Sequence, residues 1–151
     1  MILSAQAIRK ANIVSPFHER TNFNGVSFGL SSCGYDIRTA QTLYFNGKNA
    51  FLLASSIEHF NMPKNIMGRV HDKSTWARQG LSVQNTVIEP GWRGYLTIEI
   101  ALHLDDILIV SEGTAIAQII FEFLNEETDQ PYEGKYQNQP AIPVKGILAN
   151  G

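Results

Sequence analysis

Hydrophobic and polar positions alternate along most of the chain, and Gly, Pro and Asn interrupt the alternation at short intervals. That pattern predicts many short strands joined by turns. The clearest run is GYLTIEIALHL, residues 94–104. In it Leu96, Ile98, Ile100, Leu102 and Leu104 share one face, and Tyr95, Thr97, Glu99, Ala101 and His103 the other. AFLLASSIEHFNMP predicts a strand that stops at Pro63, and NIMGRVH a shorter one. GLSSCGYDIRTAQTLYF alternates up to a turn at Asn46-Gly47, LSVQNTVIEPGW reads as a hairpin, and ILIVSEGTAIAQIIFEFL as two strands around Glu112-Gly113. Two segments break the period of two. LSAQAIRKAN predicts a short helix capped by Ser4 with Ile8 as its apolar contact, and STWARQG one or two helical turns from Ser74 to a stop at Gly80. The tail EETDQPYEGKYQNQPAIPVKG is polar, carries three prolines and predicts irregular structure. Together these elements predict an all-β barrel or jelly roll with one or two short helices, in a single domain over residues 1–151.

Composition narrows the function classes. A chain of 151 residues, 44% hydrophobic and 17% charged, suits one globular core. No apolar run approaches the ~20 residues a membrane helix needs, and the opening MILSAQAIRK has no apolar signal segment. A cytoplasmic protein is the expectation. Cys33 is the single cysteine, which excludes an internal disulfide and a multi-thiolate zinc site. The net charge of −2 gives no basic field for nucleic-acid polymers, although local cations can still hold a small anion.

Three clusters carry candidate chemistry. Glu99 places a carboxylate mid-strand between the short Thr97 and Ala101. It is either part of a solvent-facing polar row or the floor of a pocket or subunit interface. DKSTWARQG offers Lys73, Ser74, Thr75 and Arg78. It is either an exposed helix with ordinary surface cations, or a cradle whose hydroxyls, cations and helix-terminal N–H groups hold phosphate oxygens. The tail brings Tyr132, Lys135, Tyr136 and Gln139, either as a frayed terminus or as a lid.

At these residues the chain resembles the dCTP deaminases of the trimeric dUTPase-like superfamily. The blocks that carry the resemblance run in order over nearly the whole length: MILSAQAIRKA, GLSSCGYDIR, EHFNMPKNIMGRVHDKSTWARQGL, NTVIEPGWRGYLTIEI, GTAIAQIIF and GKYQNQ. The resemblance implies a distorted dUTPase-like barrel and a homotrimer with active sites between subunits. It implies dCTP as the small-molecule substrate, taken with Mg²⁺. Ser74 and Arg78 would hold triphosphate oxygens, with Lys73 and Thr75 beside them. Thr86, Glu89 and Gln118 fall at nucleotide-binding positions, and Trp92 lies beside the deoxyribose. Tyr132, Lys135 and Gln139 would close over the nucleotide from the tail of a neighbouring subunit. Asp36 stands where dUTPases place a magnesium-associated aspartate, and Glu99 matches the catalytic glutamate of the deaminases.

The chemistry agrees with that role for Glu99. One carboxylate can take the proton of a water attacking C4 of cytosine and pass it on as ammonia leaves. Zinc deaminases use H-x-E and P-C-x-x-C instead, and neither motif is present, so the expectation is no zinc. Two alternatives stand beside a dCTP deaminase. One is a dUTP diphosphatase or a bifunctional enzyme, working through Asp36, Glu89 and the phosphate cradle. The other is a non-catalytic nucleotide-binding regulator. It is suggested by Asp72, where the family usually has Gly, and by the shortened spacing from Tyr132 to Lys135.

Overall fold

The computed structural model describes residues 1–148. The element order is α1 (Ala5–Ala11), β1 (Val14–Ser15), β2 (Thr21–Phe23), β3 (Val26–Leu30), β4 (Tyr35–Arg38), β5 (Leu43–Phe45), β6 (Phe51–Asn61), β7 (Ile66–Asp72), α2 (Ser74–Ala77), β8 (Leu81–Val83), β9 (Val87–Ile88), β10 (Arg93–Leu102), β11 (Leu108–Val110) and β12 (Ala115–Phe123). The fold is therefore all-β with two short helices. A four-stranded sheet runs β1-β6-β10-β8, a six-stranded sheet β2-β3-β4-β12-β7-β9, and β11 pairs with β5.

The two large sheets enclose one core. Ile98 and Ile100 of β10 and Ile119 and Phe121 of β12 are buried in the same cluster. Phe60 of β6 joins the layers, its ring centroid 6.2 Å from Trp92 and 6.5 Å from Phe121. The layers also join through the backbone, because the Ala40 N–H donates to the Ser55 carbonyl at 2.8 Å. Beside that crossing Glu58, fully buried, accepts from the Arg38 backbone at 2.9 Å and the Arg38 guanidinium at 2.7 Å. Both partners being satisfied, the pair locks β4 to β6 rather than leaving a charge stranded.

Several expectations need correction. GLSSCGYDIRTAQTLYF forms no continuous strand; it is divided among β3, β4 and β5. LSVQNTVIEPGW is a corner, not a hairpin: β8 pairs with β10 and β9 with β7. A tight hairpin needs positive φ in its loop, and none of Gln84, Asn85 and Thr86 supplies it. A hairpin with that geometry joins β2 to β3 through Asn24 and Gly25, with φ of 51° and 74°. Ser4 takes the N-cap position of α1 but its hydroxyl makes no cap bond, while Ile8 is buried as expected. Leu104 lies past the end of β10 and is exposed, unlike Leu96, Ile98, Ile100 and Leu102.

Candidate active site

β10 lies between β6 and β8, so its register is fixed on both sides, with Glu99 opposite Leu53. Its even-numbered residues fill the core, which turns Thr97 and Glu99 to the outer face of the sheet. The tail covers that face. The Trp92 indole N–H donates to the Tyr136 carbonyl at 2.7 Å, the Arg93 N–H to Gln137 Oε1 at 2.8 Å, and the Tyr95 N–H to the Gln139 carbonyl at 3.1 Å. Gly94, at φ 142°, permits the approach: a Cβ there would stand 2.6 Å from the Gln139 nitrogen. Farther along, the Val144 N–H donates to Thr97 Oγ1 at 3.1 Å. The segment after β12 is irregular, as expected, but hydrogen-bonded in place rather than frayed.

Between sheet and tail lies a pocket of ≈ 290 Å³. It gathers seven residues singled out from sequence: Thr86, Glu89, Trp92, Glu99, Tyr132, Tyr136 and Gln139. Val87, Ile88, Leu96, Thr97, Val144 and Gly146 complete the wall. Thr97 and Val144 were not assigned a site role from sequence; the signal for Thr97 was its place two residues before Glu99 on one strand face. Trp92 is buried, Glu89 exposed and Glu99 half-buried. Burial raises the Glu99 carboxyl above its ordinary value, and its own backbone N–H partly offsets this. A half-desolvated carboxylate among aromatic and aliphatic walls can move protons to and from a flat polar ring.

The phosphate-type residues lie elsewhere, and none of Lys73, Ser74, Thr75 and Arg78 lines this pocket. Ser74, Thr75 and Arg78 are exposed on or just after α2. Arg78 makes no ion pair among the described residues. With only four residues α2 has little helix dipole, so any anion binding there rests on these side chains. Lys73 turns inward. Its Nζ donates to Asp36 Oδ2 at 2.6 Å and to Ser27 Oγ at 3.3 Å. Gln118, directly opposite Asp36 on the neighbouring strand, donates to Asp36 Oδ1 at 3.1 Å. Both Asp36 oxygens thus have protein donors. Among the described residues no group of three His, Cys, Asp or Glu is placed to hold a metal ion. Asp72 Oδ1 accepts from the Val83 N–H at 2.7 Å, so this carboxylate fastens β8 to the end of β7. Lys135 reaches the Ile147 carbonyl and lies 5.3 Å from the Tyr136 ring centroid, outside the pocket wall.

Comparison with known proteins identifies the family. A family model described as dCTP deaminase-like matches residues 37–124, more than half of the chain. The dCTP deaminase of Helicobacter pylori (strain G27) is 36% identical over 172 aligned residues, covering 90% of each chain. That of Campylobacter jejuni is 36% identical over 170, again covering 90% of each. Because these alignments are longer than the chain itself, the relatives carry residues that this protein lacks. Among solved structures, EIAV dUTPase superposes with a TM-score of 0.58 at 18% identity, over 82% of this chain and 97% of that one. The 2'-deoxycytidine 5'-triphosphate deaminase of Agrobacterium tumefaciens gives 0.63 at 15% identity, over 81% of this chain and 48% of that one. Fold, family match and sequence identity agree, and the chain belongs to the dCTP deaminase-like family.

Proposed function

We propose that the protein is a cytoplasmic homotrimeric dCTP deaminase that converts dCTP and water to dUTP and ammonia. One observation carries this reading: Glu99 stands half-buried, with a raised carboxyl pKa, in a pocket walled by Trp92, Tyr132 and Tyr136. Water adds to C4 of the cytosine and its proton passes to the Glu99 carboxylate. The same group returns the proton as the C4–N bond breaks and the amine leaves as ammonia. Glu99 must be ionised to begin, so kcat/KM falls as pH drops through its raised pKa. Trp92 and Tyr132 hold the sugar and base by apolar contact, and Glu89 and Gln139 supply polar contacts at the rim.

The triphosphate would be held by Ser74, Thr75 and Arg78. Those residues do not line the pocket, which supports a site assembled from two copies: the Glu99 pocket of one and the α2 of the next. Magnesium, a hard cation that prefers oxygen ligands, would travel with the phosphates and water.

Glu89, an exposed carboxylate on the same pocket wall, favours a second reading as a dUTP diphosphatase, in which water attacks phosphorus. The non-catalytic reading loses one support, because Asp72 is engaged with β8. The purified protein is assayed for ammonia with dCTP and for diphosphate with dUTP, with Glu99→Gln and Glu89→Gln alongside. Deamination lost in Glu99→Gln supports the proposal. Diphosphate release that survives Glu99→Gln and vanishes in Glu89→Gln establishes the second reading.

A further inference from the structure

The surroundings of Asp36 point to a job that neither a metal nor a substrate explains. It is buried on β4, and two donors converge on its carboxylate, Lys73 Nζ at 2.6 Å and Gln118 Nε2 at 3.1 Å, while the same ammonium also donates to Ser27 Oγ at 3.3 Å. Gln118 also donates to Ser31 Oγ at 3.3 Å, so the cluster ties β3, β4 and β12 together. Lys73 is the residue from which α2 starts, and its carbonyl accepts the N–H groups of Trp76 and Ala77. No side chain caps α2. A four-residue helix without a cap has almost no stability of its own. Two side-chain tethers therefore set where it sits: Lys73 to Asp36 at one end, and the Trp76 indole to the Ala115 carbonyl at 2.6 Å at the other. What α2 shows to solvent is Ser74, Thr75 and, one residue on, Arg78.

We propose that Asp36 is a positioning residue for the triphosphate: through its buried ion pair with Lys73 it fixes α2, and so aims Ser74, Thr75 and Arg78, without touching nucleotide or metal. This rests on the reading that α2 binds the phosphates. It also changes the part played by Lys73. Its charge is spent on Asp36, so it serves as a strut and Arg78 is the cation that meets the phosphate. The ion pair is buried, so water does not loosen it, and Gln118 fixes the carboxylate's rotation as well as its position. Misaiming binding groups by about 1 Å can cost on the order of 10²-fold, so the aim of α2 has consequences at the ligand.

The test uses the full chain and measures kcat and KM for dCTP with magnesium titrated. The variants are Asp36→Asn, the double variant Asp36→Asn with Lys73→Met, and Arg78→Ala. Asp36→Asn leaves a buried ammonium short of its counter-charge and can fail to fold; the double variant removes both charges and keeps the fold testable. The expected result is KM for dCTP raised roughly tenfold or more in the double variant. Its kcat stays near wild type, because Glu99 stands in a separate pocket, and its magnesium midpoint is unchanged. A KM at or below the wild-type value in Asp36→Asn would mean that Lys73, once released, binds phosphate itself, and the proposal fails. A moved magnesium midpoint with unchanged KM at saturating metal would make Asp36 metal-linked, and the proposal fails. If Arg78→Ala raises KM and the double variant does not, the positioning role alone is wrong. If Arg78→Ala leaves KM unchanged, α2 is not the phosphate face and both readings fall.

Discussion

The Glu99 pocket and the α2 surface are built in opposite ways. The pocket is made of a central strand and the chain's own tail, knitted together by backbone and side-chain hydrogen bonds between residues 92–97 and residues 136–144. Trp92 on its wall is buried, Thr86 and Glu89 are exposed, and the Glu99 carboxyl feels the loss of water. The α2 surface is four helical residues and an arginine standing in solvent, tethered from beneath by Asp36 and the Ala115 carbonyl. On the proposed reading, the difference lets one short chain handle a ligand with a flat ring at one end and concentrated charge at the other. Proton transfer to the ring needs a dry, preorganised carboxylate, which a single chain can wall off. Phosphate needs cations that stay hydrated until it arrives, and these can remain exposed until a second copy covers them.

Breaking the pocket should do the most. Glu99→Gln keeps the side chain's size and removes proton transfer, so ammonia release from dCTP should fall ~10²–10⁴-fold with nucleotide affinity nearly intact. Loss of dCTP binding in this variant, measured by calorimetry, would mean that Glu99 anchors rather than reacts. Breaking the exposed side comes next. Arg78→Ala removes charge-assisted hydrogen bonds worth about 1.5–3 kcal/mol, which should appear as weaker dCTP binding in the Glu99→Gln background. Arg78→Lys should also be impaired, because the guanidinium fork is lost. Gly94→Ala probes the seam between strand and tail. A Cβ 2.6 Å from the Gln139 nitrogen, at φ 142°, forces the tail away. It should cost roughly 1–3 kcal/mol in strain and speed cleavage of the tail in limited proteolysis.

The smallest effect concerns stability. The folded pKa of Glu99 is raised by burial, so its contribution to stability is greatest below the unfolded pKa and is lost as pH rises through the folded value. Glu99→Gln should therefore melt slightly above wild type at neutral pH, and the gap should close on acidification through that pKa. A thermal scan at several pH values checks this; a variant that melts lower at pH 7 would mean that the ionised carboxylate has a stabilising partner.

Much of the fold was legible because period-two runs are local. GYLTIEIALHL holds most of β10, which starts one residue earlier at Arg93 and stops at Leu102, and NIMGRVH is β7 without Asn65 and with Asp72 added. The lost parts are those decided by distant partners. Gln84-Asn85-Thr86 turns a corner because β8 and β9 find different sheets, which nothing in LSVQNTVIEPGW announces. Asn24-Gly25 carries a hairpin signal, and the β2–β3 turn uses it. At the site, the family-like motifs located Glu99, Trp92 and Gln139, which do meet in space. Motif spacing could not reveal that Lys73 points inward, since its direction is set by Asp36 from β4 and Ser27 from β3. Nor could tail composition reveal an ordered segment, because the bonds that anchor it to the sheet reach Pro90, Arg93 and Tyr95, far away in sequence.

On the proposed reading, the carboxylate side of one copy and the arginine side of another make one site. Co-expressing Glu99→Gln and Arg78→Ala chains with different tags, purifying the assemblies that hold both, and assaying ammonia from dCTP tests it most directly. At dCTP well below the KM of Arg78→Ala, the mixed assembly should regain deamination that both parents largely lack, because some interfaces unite an intact Glu99 with an intact Arg78. Mixed assemblies as inactive as their parents, or a wild-type protein that deaminates dCTP as a monomer, would contradict it.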